Sequence, residues 1–280
     1  MDFELITRII GIGLLVMYLA AIVSALEAIL KARTSQGAIA WTISLLTFPI
    51  AALPLYLIFG RNRFDGYLDK RDEIERESLR LIQRTSDNIQ DHLVPVSADS
   101  PIYMSLFNLA RMPATRGNTL QLLVDGHATF DDISRGMQSA QRYILFQFYI
   151  IRDDALGRRL GRILADKARD GLKVYLLYDE IGSRQFQKSG LLKQLRMAGV
   201  RVAPFNTTQG PRNRFQLNFR NHRKVVVVDG REAWIGGHNV GDEYLGLSKR
   251  IGHWRDTHTR VEGPAVLGAE LAFATAVSYT

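Results

Sequence analysis

Two apolar runs near the N-terminus leave few choices for the first 60 residues. Ile9 to Leu30 carries a single charge, Glu27, and Ala38 to Phe59 carries none. Each is close to the roughly 20 residues that a helix needs to cross a hydrocarbon core. Inside lipid a backbone must satisfy its own polar groups, so such runs form helices. A secretory signal peptide is the other reading of the first run, because Ala25 to Ala28 offers small residues for cleavage. A signal has a shorter apolar region and a basic start, however, and here a second run follows closely. Residues 1–60 are therefore read as a membrane anchor with two transmembrane helices, 9–30 and 38–59. Glu27 falls in the last turn of its run, where a carboxylate reaches the interface. Pro49 and Pro54 lie inside the second run and predict a kink, or a re-entrant hairpin in place of a full crossing.

Basic residues set the orientation. The connecting loop has Lys31 and Arg33, whereas Arg61, Arg63, Lys70, Arg71 and Arg76 follow the second run. The positive-inside rule predicts that both termini, and everything after residue 60, lie in the cytoplasm. Residues 61–112 form a charged juxtamembrane helix and linker. Arg61 to about Leu93 reads as a solvated helix whose apolar stripe (Ile74, Leu79, Leu81, Ile82) is thin. Pro95, Pro101 and Pro113 mark the looser linker.

From Leu120 onward strand-like and helix-like segments alternate. Strands are predicted at Leu120–Val124, Tyr143–Ile151, Lys173–Tyr178, Val200–Phe205 and Lys224–Val228, and helices at Ala128–Gln141, Leu156–Asp170 and Gly190–Ala198. The alternation predicts an α/β layer over 113–280 with a largely parallel sheet. Tyr143, Phe146, Phe148 and Tyr149 read as core residues rather than a ligand platform. Asp179, after a strand end, reads as a turn cap.

The chemistry concentrates in Asn221–Tyr244, NHRKVVVVDGREAWIGGHNVGDEY, where His222, Lys224 and Asp229 have the spacing H-x-K-x-x-x-x-D. In an extended segment His222 and Lys224 point to one face, and Val225–Val228 reads as a strand buried on both faces. An imidazole, a cation one pleat away and a glycine pair (Gly236, Gly237) make a plausible phosphate site. The chain's formal net charge is +8, and residues 1–60 hold three basic and three acidic residues, so the excess lies on the part that carries this segment. Such a face attracts nucleic acid, anionic headgroups or acidic substrates alike. Cysteine is absent, which excludes disulfides and thiolate chemistry. The six histidines show no metal-ligand spacing, so neither a metal nor another cofactor is expected. Without aromatic residues interleaved among the basic ones, no nucleic acid partner is expected.

These residues, with GGHNVGDEYLG and WRDTHTRVEGPAV downstream, resemble the first catalytic motif of the phospholipase D superfamily, and within it the bacterial cardiolipin synthases. RTSQGAIAW through LYLIFGRNRF resembles the membrane region that precedes those domains. The resemblance implies a phospholipase D-like half, a sheet flanked by helices. It implies His222 as nucleophile forming a phosphoenzyme, oriented by Asp256, with Lys224 and Asn239 on the non-bridging phosphate oxygens. Gly236 and Gly237 would let the backbone pass near the phosphate, and Arg220 and Arg223, with Arg212 and Arg214, would form a basic approach. Asp229 reads as holding the turn before Arg231. His238 and His258 read as structural or substrate-lining.

The family also carries a second H-x-K-x-x-x-x-D motif, whose histidine protonates the leaving group. None of His92, His127, His238, His253 and His258 has a lysine two places on, and the wording departs from the family after LAFAT, as in a truncated product. The expected activity is transfer of a phosphatidyl group between two phosphatidylglycerol molecules, giving cardiolipin and glycerol, at a bacterial inner membrane. Pairing of two chains into a homodimer would complete the site. The alternatives are a homodimeric phosphodiesterase or nuclease of the same superfamily, and an inactive half-enzyme.

Overall fold

A computed structural model describes residues 3–31, 35–60, 90–95, 100–110, 112–205 and 221–277. The charged stretch 61–89, with Arg212, Arg214 and Arg220, lies outside the described residues. The described residues fall into two compact units, 3–60 and 90–277.

In the first unit α1 (Phe3–Lys31) is long and apolar enough to cross a membrane. The second apolar run is not one helix. It divides into α2 (Ser35–Thr47), α3 (Pro49–Leu55) and a π-helical turn (Tyr56–Gly60). The break falls at Phe48, whose φ of −130° and ψ of 58° are not helical, because Pro49 has no N–H with which to continue α2 and sits instead at the start of α3. Among the described residues one helix has spanning length, not the two expected. Ala25 and Ala28 of α1 pack with Leu45, Ala52 and Tyr56. Trp41 meets Tyr56 edge-on, with ring centroids 5.3 Å apart.

The second unit is built on a seven-stranded sheet. After α4 (Pro101–Ala110) come β1 (Thr119–Val124), α5 (Asp125–Gln138), β2 (Tyr143–Phe148), α6 (Ala155–Arg169) and β3 (Lys173–Asp179). Then follow α7 (Gly190–Met197), β4 (Arg201–Phe205), β5 (Val225–Val228), β6 (Glu232–Gly236), β7 (Thr257–Glu262) and α8 (Val266–Val277). The strand order is β1-β7-β6-β5-β2-β3-β4. Only β2–β3 and β3–β4 are parallel, and the other four pairings are antiparallel. The expected largely parallel sheet is thus a mixed one. The reason is the tight three-residue turn Asp229–Arg231, in which Asp229 and Gly230 both have positive φ (54° and 68°) and the Arg231 N–H donates to the Val228 carbonyl, a hairpin connection. It returns the chain as β6 directly beside β5.

Helices cover both faces. Phe130, Ile133 and Met137 of α5, Leu156, Leu160 and Leu164 of α6, and Leu191 and Leu195 of α7 bury one face, including Phe146, Phe148, Val226 and Trp234. Period-two alternation sends Val225 and Val227 to the other face, where they pack with Ala233, Val261 and α8's Val266 and Ala269. That second face is only partly covered: Leu120, Leu122 and Val124 of edge strand β1 and Ile235 of β6 remain exposed. Leu93 and Met112 pack on Leu267 and Leu271.

Candidate active site

The site lies where β2, β3 and the start of β5 come together. Val225–Val228 is fully buried, and this anchors the three residues before it. Asn221 is held across the sheet, its N–H donating to Asp179 Oδ2 at 2.9 Å. Asp179 is itself buried at the end of β3, where its Oδ1 accepts the N–H groups of Ile181 and Gly182. It caps its turn, as its position suggested, and it also fixes the residue preceding His222.

His222 is exposed and Lys224 is buried. Lys224 Nζ lies 2.9 Å from His222 Nδ1 and donates to the His222 carbonyl oxygen at 2.7 Å. Burial pulls the Lys224 ammonium down to about 8, against which the charge of Asp256 pushes it up. While Lys224 is charged it can only donate, so Nδ1 accepts and the imidazole proton sits on Nε2. Tyr149, which the sequence assigned to the core, packs beside His222 with ring centroids 4.6 Å apart and the rings tilted by 47°, and its ring lies 5.4 Å from Lys224 Nζ. Phe146 and Phe148 are core, as expected.

Among the described residues the side-chain hydrogen bonds of Asp256 are local ones. Its carboxylate accepts from the Thr257 N–H at 2.7 Å and Trp254 Nε1 at 3.4 Å. Its charge acts on Lys224, His238 and His258, raising each. Gly237 has a different use from the one expected, since a Cβ there would stand 2.0 Å from Asp256 Oδ1. A Cβ on Gly236 would stand 2.4 Å from the His258 ring. The glycine pair makes room for a carboxylate and an imidazole.

Asn239 is buried, with its amide oxygen accepting the Ile150 N–H at 3.0 Å and its nitrogen donating to Tyr244 Oη at 2.9 Å. These two bonds use the amide oxygen and one of the two amide hydrogens. Arg223 is exposed and donates from Nη1 to the Ala272 carbonyl at 3.2 Å. Asp229 is far from solvent and accepts three backbone N–H bonds of 2.8 Å, from Gln141, Arg142 and Tyr143. Burial alone would raise its carboxyl, but these donors and Arg231 outweigh burial and hold it below the usual range. His238 and His258 are buried with their Nδ1 atoms 3.1 Å apart. Among the described residues no group of three or more His, Cys, Asp or Glu side chains is arranged to hold a metal.

A cavity of about 410 Å³ opens beside this cluster, lined by His222, Arg223 and Lys224 and by apolar residues of β5, β6 and α8. An anion can therefore meet an imidazole and two cations at one edge of a largely apolar space.

The chain is similar to known proteins along most of its length. The family described as Cardiolipin synthase, PLD-like domain matches residues 133–251, and Phospholipase_D-nuclease N-terminal matches 16–61. A cardiolipin synthase A of Pseudomonas fluorescens is 44% identical over 270 residues, covering 95% of this chain and 56% of that protein. One of Pseudomonas aeruginosa is 42% identical over 274 residues, covering 96% and 55%. The chain thus spans little more than half the length of these relatives. Among solved structures, NucT from Helicobacter pylori is similar with a TM-score of 0.44 and 15% identity, covering 57% of this chain and 96% of that one. With the H-x-K-x-x-x-x-D residues gathered at the start of β5 and this identity running through both the apolar N-terminal region and the sheet unit, the chain belongs to the phospholipase D superfamily, in its cardiolipin synthase branch.

Proposed function

We propose that this chain carries the nucleophilic half of a phosphatidyltransferase that joins two phosphatidylglycerol molecules into cardiolipin and glycerol. His222 attacks the phosphorus of the first lipid, the P–O bond to the head glycerol breaks, and a phosphatidyl-histidine forms. A hydroxyl of the second lipid then attacks that phosphorus and releases His222. Lys224, Arg223 and the remaining Asn239 N–H hold the non-bridging oxygens, with Arg220 extending the basic approach. The contact of Lys224 with His222 Nδ1 carries this reading, because it sets a cation and an imidazole at one phosphate. Drawing Lys224 onto that phosphate frees Nδ1, and the ring can then present a bare nitrogen to phosphorus. We divide the chain into an anchor (1–60), a connector (61–112) and a catalytic half (113–280), held at the cell membrane as a multi-pass protein with the catalytic half in the cytoplasm.

A second histidine must protonate the departing glycerol. It comes from another copy of this chain or from the rest of a longer protein. The exposed Leu120, Leu122 and Val124 on edge strand β1 favour association, since an exposed apolar edge is ordinarily covered. Membranes containing the full chain, given labelled phosphatidylglycerol, should form labelled cardiolipin, and a His222→Ala chain should form none. Product unchanged by His222→Ala would reject the reading. Absence of product despite membrane insertion would leave the inactive half-enzyme, and hydrolysis to phosphatidic acid alone would mark a phosphodiesterase.

A further inference from the structure

The established resemblance says nothing of where the lipid's apolar part lies, and the cavity beside His222 has the chemistry to answer. Its sheet wall is Val225 and Ile235, and the facing wall is Ala265, in the turn before α8, with Gly268, Ala269 and Ala272 of α8. The three α8 positions, Gly268, Ala269 and Ala272, lie within about one turn and share one face, with Ala265 just ahead of them. None carries an atom beyond Cβ, so a trough stays open between α8 and the sheet at a place where a helix packed on a sheet ordinarily interdigitates larger side chains. Leu267 and Leu271 of that helix are turned onto Leu93 and Met112, and its Phe273 packs farther along on Leu177, so none of the three fills the trough. A volume of about 410 Å³ falls within the roughly 300–1,000 Å³ of ligand sites.

The polar side chains of this lining are His222, Arg223 and Lys224, the same residues that face the phosphate. Arg223 also bonds the carbonyl of Ala272, so the cation is tied to the helix wall itself. An anionic group and an apolar group are thus accommodated side by side. A nucleotide would present a sugar with hydroxyls to this wall, where no donor or acceptor side chain waits for them, and an apolar trough holds water poorly. The row of this face continues outward through one threonine: Val225 is opposite Ile235, Ile235 opposite Thr259, and Thr259 opposite Leu122, which is 65% exposed.

We infer that the trough between α8 and the β5–β6 hairpin receives the glycerol-proximal part of the acyl chains of the phosphatidyl group whose phosphate His222 attacks. This rests on the phosphatidyl-transfer reading, and it makes α8 the element that selects a lipid phosphodiester over a soluble one.

The test uses the full chain in vesicles of phosphatidylcholine and phosphatidylglycerol, the latter bearing a diazirine close to an acyl ester. After photolysis, peptide mapping should place label on residues 265–272 and on Ile235. Ala272→Leu should lower that label about tenfold, and Ala265→Leu, at an exposed position, should lower it in a chain whose fold is least at risk. Labelling of α1 should not change in either. Label confined to residues 3–60, or label on α8 that neither substitution reduces, overturns the inference. The phosphatidyl adduct on the His222 peptide is measured in the same samples. Label on α8 without an adduct rejects the transfer reading and keeps the trough, whereas an adduct without label on α8 rejects the trough and keeps the transfer.

Discussion

Lys224 Nζ stands 2.9 Å from His222 Nδ1, and among the described residues Lys224 forms no ion pair with a carboxylate. The lysine is buried, so its ammonium loses its proton near pH 8 rather than two or more units higher. If the charged form is the one that holds phosphate, transfer falls about tenfold for each pH unit above 8. Lys224→Arg should abolish that limb, since guanidinium stays charged, while its planar fork fits the site less well. Lys224→Met should lose about 10²–10³ in turnover below pH 8, with the gap to the wild type narrowing as pH rises above 8. A pH–rate profile of the three chains decides the matter, and a wild-type profile flat from pH 7 to 10 would show that the charge is not required.

Asp229 belongs to the H-x-K-x-x-x-x-D spacing but works on the fold. Its carboxylate closes three backbone N–H groups at the entry to β2. Asp229→Ala leaves those donors without an acceptor at about 1–3 kcal/mol each, so a loss of several kcal/mol is expected by urea unfolding of the detergent-solubilised chain. The depressed carboxyl adds a pH signature. Its stabilisation is present above the unfolded value near 3.9 and is lost as pH falls through the lower folded value. Unchanged stability in Asp229→Ala would return this residue to the chemistry.

The sequence made the strands and helices of 120–205 legible because their apolar periods of 2 and 3.6 differ sharply. Strand direction was less visible. Asp-Gly at 229–230 is a hairpin signal, and reading it would have turned the parallel sheet into the mixed one and revealed β6. His222 and Lys224 were legible as a pair because alternation fixes their common face. Asp179, Tyr149 and the pairing of His238 with His258 were not, since each depends on residues tens of positions apart. The roles of Gly236 and Gly237 were hidden for the same reason: what fills the space beside them, His258 and Asp256, arrives on β7 and the segment leading into it.

His238 and His258 form a buried pair in which one Nδ1 donates and the other accepts. Both Nε2 atoms are buried without a partner. Desolvation, the neighbouring His238 and Lys224 pull His258 down to about 3, with Asp256 opposing. Desolvation likewise lowers His238, with Asp256 and Asp125 opposing and Arg255 assisting, and Thr129 and Phe130 pack against its ring. A depressed histidine favours the neutral form in the fold. The stability it contributes is therefore full above about 6.5 and lost as pH falls toward 3. The slope should approach about 1.4 kcal/mol per pH unit per histidine. Urea midpoints from pH 7 to 4 should drop more steeply for the wild type than for His258→Asn, and equal slopes would show that the pair does not control acid sensitivity.

Asp179 offers a separate handle on His222. One carboxylate oxygen accepts the Asn221 N–H and the other accepts those of Ile181 and Gly182, so both are occupied by donors. Asp179→Asn keeps the shape but replaces one acceptor with an NH₂ group, which must then face a backbone N–H. The least costly relief is a shift of residue 221, and with it His222. Misplacement of a nucleophile by about 1 Å costs up to about 100-fold in rate, so kcat should fall by tenfold or more while KM for phosphatidylglycerol stays within about twofold, because Lys224 and Arg223 lie beyond the shifted bond. Asp179→Ala, which leaves all three donors unpaired, should lose stability as well. An Asp179→Asn chain that unfolds earlier yet turns over normally while folded would assign Asp179 to the turn alone, and a chain that keeps its stability and loses kcat would establish that β3 positions the nucleophile.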